Sequence, residues 1–103
     1  MNRKAERAAK AAFKIEIEAI TDTEAVMDWA AFSKAADALK KAVRIGTSGC
    51  GHSGIACSHF VHSLCCIDKT ARFLPPSEAL HGGLGFLKSG DVIVLASRGF
   101  SSR

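Results

Sequence analysis

The sequence predicts an α/β fold: a three-layer αβα sandwich around a short parallel sheet, preceded by two N-terminal helices. Three observations predict it. A β-leaning run over residues 43–48 leads into Gly49-Cys50-Gly51-His52-Ser53-Gly54 and then into an apolar helical stretch ending near Cys66. Two more β-leaning runs follow, at residues 71–74 and 91–96. Strands that alternate with helices pack as a parallel sheet, because each crossover must return over a face of the sheet.

The elements follow in order. Residues 3–20 read as a helix: alanine is abundant, Gly and Pro are absent, and Phe13, Ile17 and Ile20 fall at helical spacing. Thr21-Asp22-Thr23-Glu24 has the form of a capping box and predicts a second helix over residues 24–41, with Val26, Trp29, Ala30, Ala36 and Leu39 on its apolar side. These helices make up an N-terminal segment, residues 1–42, ahead of the α/β unit at residues 43–103. The first strand, 43–48, is weakened by Gly46. The helix at 53–66 is expected to bury Ile55, Phe60, Val61 and Leu64. The second strand, 71–74, is closed by Pro75-Pro76, and Ser77 can cap a single helical turn. His81-Gly82-Gly83-Leu84-Gly85 is too glycine-rich to extend that turn. Residues 91–96 form the clearest strand, a continuous apolar run of the kind covered on both faces.

Composition narrows the function classes. At 103 residues, 48% hydrophobic and 23% charged, the chain suits one small globular domain. Its net charge of +4 forms no basic cluster interleaved with aromatics, so no nucleic-acid partner is expected. No stretch approaches the roughly 20 apolar residues of a membrane span, so no membrane partner is expected either. The charged N-terminus lacks an apolar signal core, which points to the cytoplasm. Cys50, Cys57, Cys65 and Cys66 include no CxxC pair; they are expected to be free, mostly buried thiols, with no metal and no cofactor. A three-stranded sheet with exposed edges points to a homo-oligomer, a dimer or tetramer.

The chemistry lies in the glycine turn. Strand, glycine-rich turn and helix present backbone N–H groups and a helix dipole to an anion, most often a phosphate. Ser48, Gly49, Gly51, His52 and Ser53 are the residues placed there, with helix capping as the other reading of Ser53. Ser97, Arg98, Ser101 and Ser102 follow the last strand at its carboxyl end, the edge where open α/β sheets bind ligands. The expected partner is a phosphorylated sugar or a similar small molecule.

Three blocks carry a family resemblance. Residues 47–54 (Thr-Ser-Gly-Cys-Gly-His-Ser-Gly), 75–85 (Pro-Pro-Ser-Glu-Ala-Leu-His-Gly-Gly-Leu-Gly) and 90–99 (Gly-Asp-Val-Ile-Val-Leu-Ala-Ser-Arg-Gly) occur in the order seen in the SIS, or sugar isomerase, domain. The chain resembles the arabinose-5-phosphate isomerase branch most, over residues 43–103. The resemblance implies a partial SIS, flavodoxin-like fold and an aldose–ketose isomerisation of a phosphosugar. It assigns sugar contact or proton transfer to His81, which makes His81 the catalytic candidate. It also brings Asp68 and Lys69 toward the sugar, at the position of a Gly-Thr pair in the family. The chain departs from the pattern at His52, where the family has Lys, and at Pro75, where the family has a metal-associated His. The family's base and ring-opening histidine lie beyond the serine loop, where this chain ends. The expectation is therefore a C-terminally truncated domain, inactive alone. The competing class is a noncatalytic sugar-phosphate-binding or interaction module.

Overall fold

The computed structural model describes residues 2–79 and 81–98. Helix α1 spans Arg3–Val26 and α2 spans Trp29–Lys41. Then come β1 (Arg44–Ser48), α3 (Gly51–Cys66), β2 (Thr70–Phe73), the single turn α4 (Pro76–Ala79), a 3-10 turn over Gly83–Phe86 and β3 (Val92–Leu95). The α/β fold expected from the sequence is the fold found. Contacts divide the chain into a unit up to Ala35 and a unit from Ala36 onward. Among the described residues, no helix is long and apolar enough to cross a membrane.

The helical boundary differs from expectation. Asn2 caps α1 by accepting a hydrogen bond from the Ala5 N–H at 2.7 Å. The helix then runs straight through Thr21-Asp22-Thr23-Glu24. The threonine hydroxyls donate back along the helix instead of capping a new one: Thr21 Oγ1 to the Ile17 carbonyl at 2.9 Å, and Thr23 Oγ1 to the Ala19 carbonyl at 2.7 Å. The break falls at Met27, which is extended. Asp28 caps α2 by accepting from the Ala31 N–H at 3.0 Å.

The sheet is parallel, in the order β2-β1-β3. Ile45 and Thr47 of the central strand point to one face and are fully buried beneath α3. The Thr47 hydroxyl donates to the Cys57 carbonyl at 3.4 Å. Ala42, Ile45 and Leu64 form the core, joined by Leu39, Phe60, Ala71, Val92 and Val94. The buried residues of α3 are Gly54, Cys57 and Leu64, one stripe at helical spacing. Ile55 lies beside that stripe and is 66% exposed, contrary to expectation. Only Cys57 is a buried thiol; Cys50, Cys65 and Cys66 are exposed, because the stripe passes them by.

The opposite face is only partly covered. Leu74 crosses β1 with Leu87 at Gly46, where a Cβ would lie 3.0 Å from Leu87 Cδ2 and 3.2 Å from Leu74 Cδ1. Glycine in this strand thus admits two leucines, and Leu74 is buried as a result. Strand β3 alternates: Val92 and Val94 pack toward the core, while Ile93 and Leu95 are exposed on the other face. Its uninterrupted apolar sequence had predicted cover on both faces; the described residues supply it on one.

Candidate functional site

The carboxyl ends of the strands converge through main-chain bonds. Residues Ser48 and Leu95 are register partners, as are Thr47 and Phe73. One residue further on, the Ala96 N–H donates to the Ser48 carbonyl at 3.0 Å and the Leu74 N–H to the Thr47 carbonyl at 2.7 Å. The turn after β1 folds against this edge. A Cβ at Gly49 would lie 3.0 Å from the Ala96 carbonyl oxygen, and one at Gly54 would lie 2.5 Å from the Gly49 carbonyl oxygen. The two glycines are what let strand tip, turn and helix meet at backbone distance.

Helix α3 therefore begins directly at the edge. Cys50 is its N-cap but makes no side-chain capping bond, and the first turn holds no acid. The first hydrogen bond back into the turn is from the Gly54 N–H to the Cys50 carbonyl, at 3.3 Å. The N–H groups of Gly51, His52 and Ser53 precede it and have no intrahelical acceptor. A 16-residue helix thus presents donors and the positive end of its dipole with no acid in its own first turn. His52 is exposed and Ser53 half-buried on this first turn. The Ser48 hydroxyl is engaged, donating to the Leu74 carbonyl at 2.6 Å and tying β1 to the end of β2.

The remaining expected residues divide between edges. Ser97 and Arg98 follow the β3 tip, and both are exposed. His81 lies beyond α4, on the β2 side of the same edge, with its N–H donating to the Glu78 carbonyl at 3.0 Å. Ser101 and Ser102 lie outside the described residues. Asp68 and Lys69 are not brought to this edge. They immediately precede β2, whose first residue pairs with Arg44, so they sit at the amino end of the sheet. At roughly 3.3 Å per residue, the length of β1 separates them from the glycine turn. Asp68 adopts a left-handed conformation, φ 64°, that ends α3. The Lys69 ammonium donates to the carbonyls of Lys40 (2.5 Å) and Ala42 (3.1 Å). Both residues shape the chain at the end of α3. Arg44 and Asp91 pair at 3.0 Å on this amino edge as well.

Two clefts open on the β2 side and share Phe73 and Pro75 as a wall. One, of about 540 Å³, is lined by Gly49, Cys50, Gly51, Ile55, Ser58 and Ser77 among others. The other, of about 720 Å³, is lined by Arg72, Glu78, Gly82, Gly83 and Phe86 among others. The Arg72 guanidinium lies 5.8 Å from the centre of the Phe86 ring. Sequence reasoning missed Arg72 and Phe86. The available signal was strand alternation, which turns Ala71 toward the core and Arg72 away from it. Among the described residues, no group of three His, Cys, Asp or Glu side chains is placed to hold a metal ion.

Comparison with known proteins gives the geometry a context. No family model matches the chain. A 54-residue stretch is 37% identical to an uncharacterised Helicobacter pylori protein, covering 52% of this chain and 16% of that one. Two crystal structures are similar. One is of a candidate sugar-phosphate isomerase from Listeria monocytogenes, 35% identical, with a TM-score of 0.87, covering 96% of this chain and 53% of that one. The other is of a candidate phosphosugar isomerase involved in capsule formation in Bacteroides fragilis, 31% identical, with a TM-score of 0.61, covering 82% of this chain and 50% of that one. In sequence and in fold, then, the chain is similar to two candidate phosphosugar isomerases, and it spans about half the length of each.

Proposed function

We propose that the carboxyl edge of the sheet binds the phosphate of a phosphosugar, and that the chain belongs to the SIS-type isomerases near the arabinose-5-phosphate branch. The observation that carries this reading is the start of α3. Its first N–H groups, which lack intrahelical acceptors, and its dipole end lie at a strand tip bonded to the tip of β3, and the N-cap Cys50 makes no side-chain capping bond. Gly49, Gly51, His52 and Ser53 hold the phosphate from one side; Ser48 sets the position of the turn; Ser97, Arg98, Ser101 and Ser102 close it from the other. His81 contacts the sugar hydroxyls and moves the proton between adjacent carbons, with Glu78 one turn away. The half-length relation to both solved structures makes the full isomerisation part of the proposal, since such a reaction needs a base as well as a phosphate grip.

A second reading, binding without turnover, is favoured by one observation. Among the described residues from Ala36 onward, Glu78 is the sole carboxylate at the carboxyl edge: Asp68 and Asp91 belong to the amino edge, and Asp37 lies on α2. A thermal-shift panel of phosphosugars, with aldose–ketose turnover measured on the hits, separates the two readings. Arabinose 5-phosphate or a related sugar is expected to raise the melting temperature, since a ligand that binds only the folded state stabilises it. His81→Ala is expected to reduce that shift. A shift without turnover supports the binding module. No shift at millimolar ligand overturns both.

A further inference from the structure

We propose, resting on the phosphosugar reading, that Arg72 makes the cleft between β2 and the 3-10 turn a subsite for a second anionic group. The phosphosugar held at this edge then carries a carboxylate or a second phosphate at its far end.

Strand alternation sets Arg72 on the face of β2 opposite Ala71, away from α3. Its register partner on β1 is Gly46, which has no side chain to stand beside it. Leu74 and Leu87 fill the space over Gly46. Phe86, next to Leu87, receives the Arg72 guanidinium 5.8 Å from its ring centre. A ring contact restrains the side chain without using its fork of N–H donors, as bonds to oxygen would. Among the described residues, no ion pair and no hydrogen bond takes up those donors. Glu78 lines the same cleft and does not come within ion-pair distance of Arg72.

The cleft has room for a ligand. Its volume, about 720 Å³, is that of a small-molecule site. Two of its glycines answer to local structure. Gly82 has φ 103°, and a Cβ at Gly83 would lie 2.8 Å from the Glu78 carbonyl oxygen. Neither reason applies to Gly85, whose φ is not positive and whose Cβ would meet nothing within 4 Å. Glycine in a helical turn costs stability. At Gly85 what it provides is an open wall, where a ligand can approach the backbone.

The position suits one end of a sugar phosphate. The cleft shares Phe73 and Pro75 with the one that opens at Gly49, Cys50 and Gly51. Arg72 is level with Gly46, three residues before Gly49, which is roughly 10 Å along the sheet. A sugar held by its phosphate at the start of α3 reaches across that wall with its other end. Arginine takes carboxylate and phosphate alike, through paired N–H···O bonds that are stronger than those to a neutral hydroxyl.

Titration calorimetry with two pairs of ligands tests the proposal. Arabinose 5-phosphate is compared with arabinonate 5-phosphate, which has a carboxylate at carbon 1. Ribulose 5-phosphate is compared with ribulose 1,5-bisphosphate, which has a second phosphate there. In at least one pair the doubly anionic ligand is expected to bind the wild type about tenfold tighter or more, and the pair concerned tells carboxylate from phosphate. In Arg72→Met the members of that pair are expected to bind equally, with the melting temperature of the ligand-free variant confirming its fold. A wild type that binds the simple phosphosugars and prefers neither doubly anionic ligand overturns the subsite and leaves the phosphosugar reading standing. A preference that survives in Arg72→Met overturns the subsite as well. A wild type that binds none of the four overturns the phosphosugar reading, and the subsite falls with it.

Discussion

Single residues decide whether the strand tips can meet. Gly54 is the least replaceable, because a Cβ there would lie 2.5 Å from a backbone oxygen that cannot swing away. Gly54→Ala is expected to cost about 1–3 kcal/mol as the turn is forced outward. It should also remove the response to phosphosugars; denaturant unfolding and thermal shift report the two effects separately. Lys69 makes the opposite case. Its ammonium ties together the Lys40 and Ala42 carbonyls at the amino edge. Lys69→Met is expected to destabilise the fold by about 1–2 kcal/mol in urea titration while leaving the ligand response intact. Loss of the response in that variant, at unchanged stability, would return Lys69 to the site. The resemblance had placed Asp68 and Lys69 by alignment, and alignment alone does not say at which end of a strand a residue lies.

At the scale of elements, what could be read from the chain depended on whether a signal was local. The glycine turn and the helix after it were legible, because Gly49-Cys50-Gly51 can do little else between a strand and a helix. The start of α2 was not. Thr21 and Thr23 carry the letters of a capping box, but their hydroxyls bond one turn back within α1, and Asp28 does the capping. The same residue types serve both roles, and only the backbone decides between them. Strand β3 is a strand as its sequence predicts, while the described residues cover it on one face rather than the two expected. Apolar character showed that both faces of β3 avoid water, not that the described residues shield both. The stripe of α3 was also misjudged at Ile55, since a face centred on Gly54, Cys57 and Leu64 is marked by small residues rather than large ones.

At the scale of the whole molecule, two long helices precede a short parallel sheet whose carboxyl edge is the proposed ligand site. The sheet's amino edge is closed by the Arg44–Asp91 pair and the Lys69 bridge, and the proposed site lies at the opposite, carboxyl edge. The chain is similar to two candidate phosphosugar isomerases over about half their length, which supports the proposed phosphosugar site. The most direct measurement is a titration of the ¹⁵N-labelled chain with a phosphosugar, following every backbone amide. The account predicts saturable shifts at Gly49, Gly51, His52, Ser53 and Ser97, with Arg44, Asp68 and Lys69 unmoved. Saturable shifts centred on the amino edge, or none at the start of α3, would contradict it.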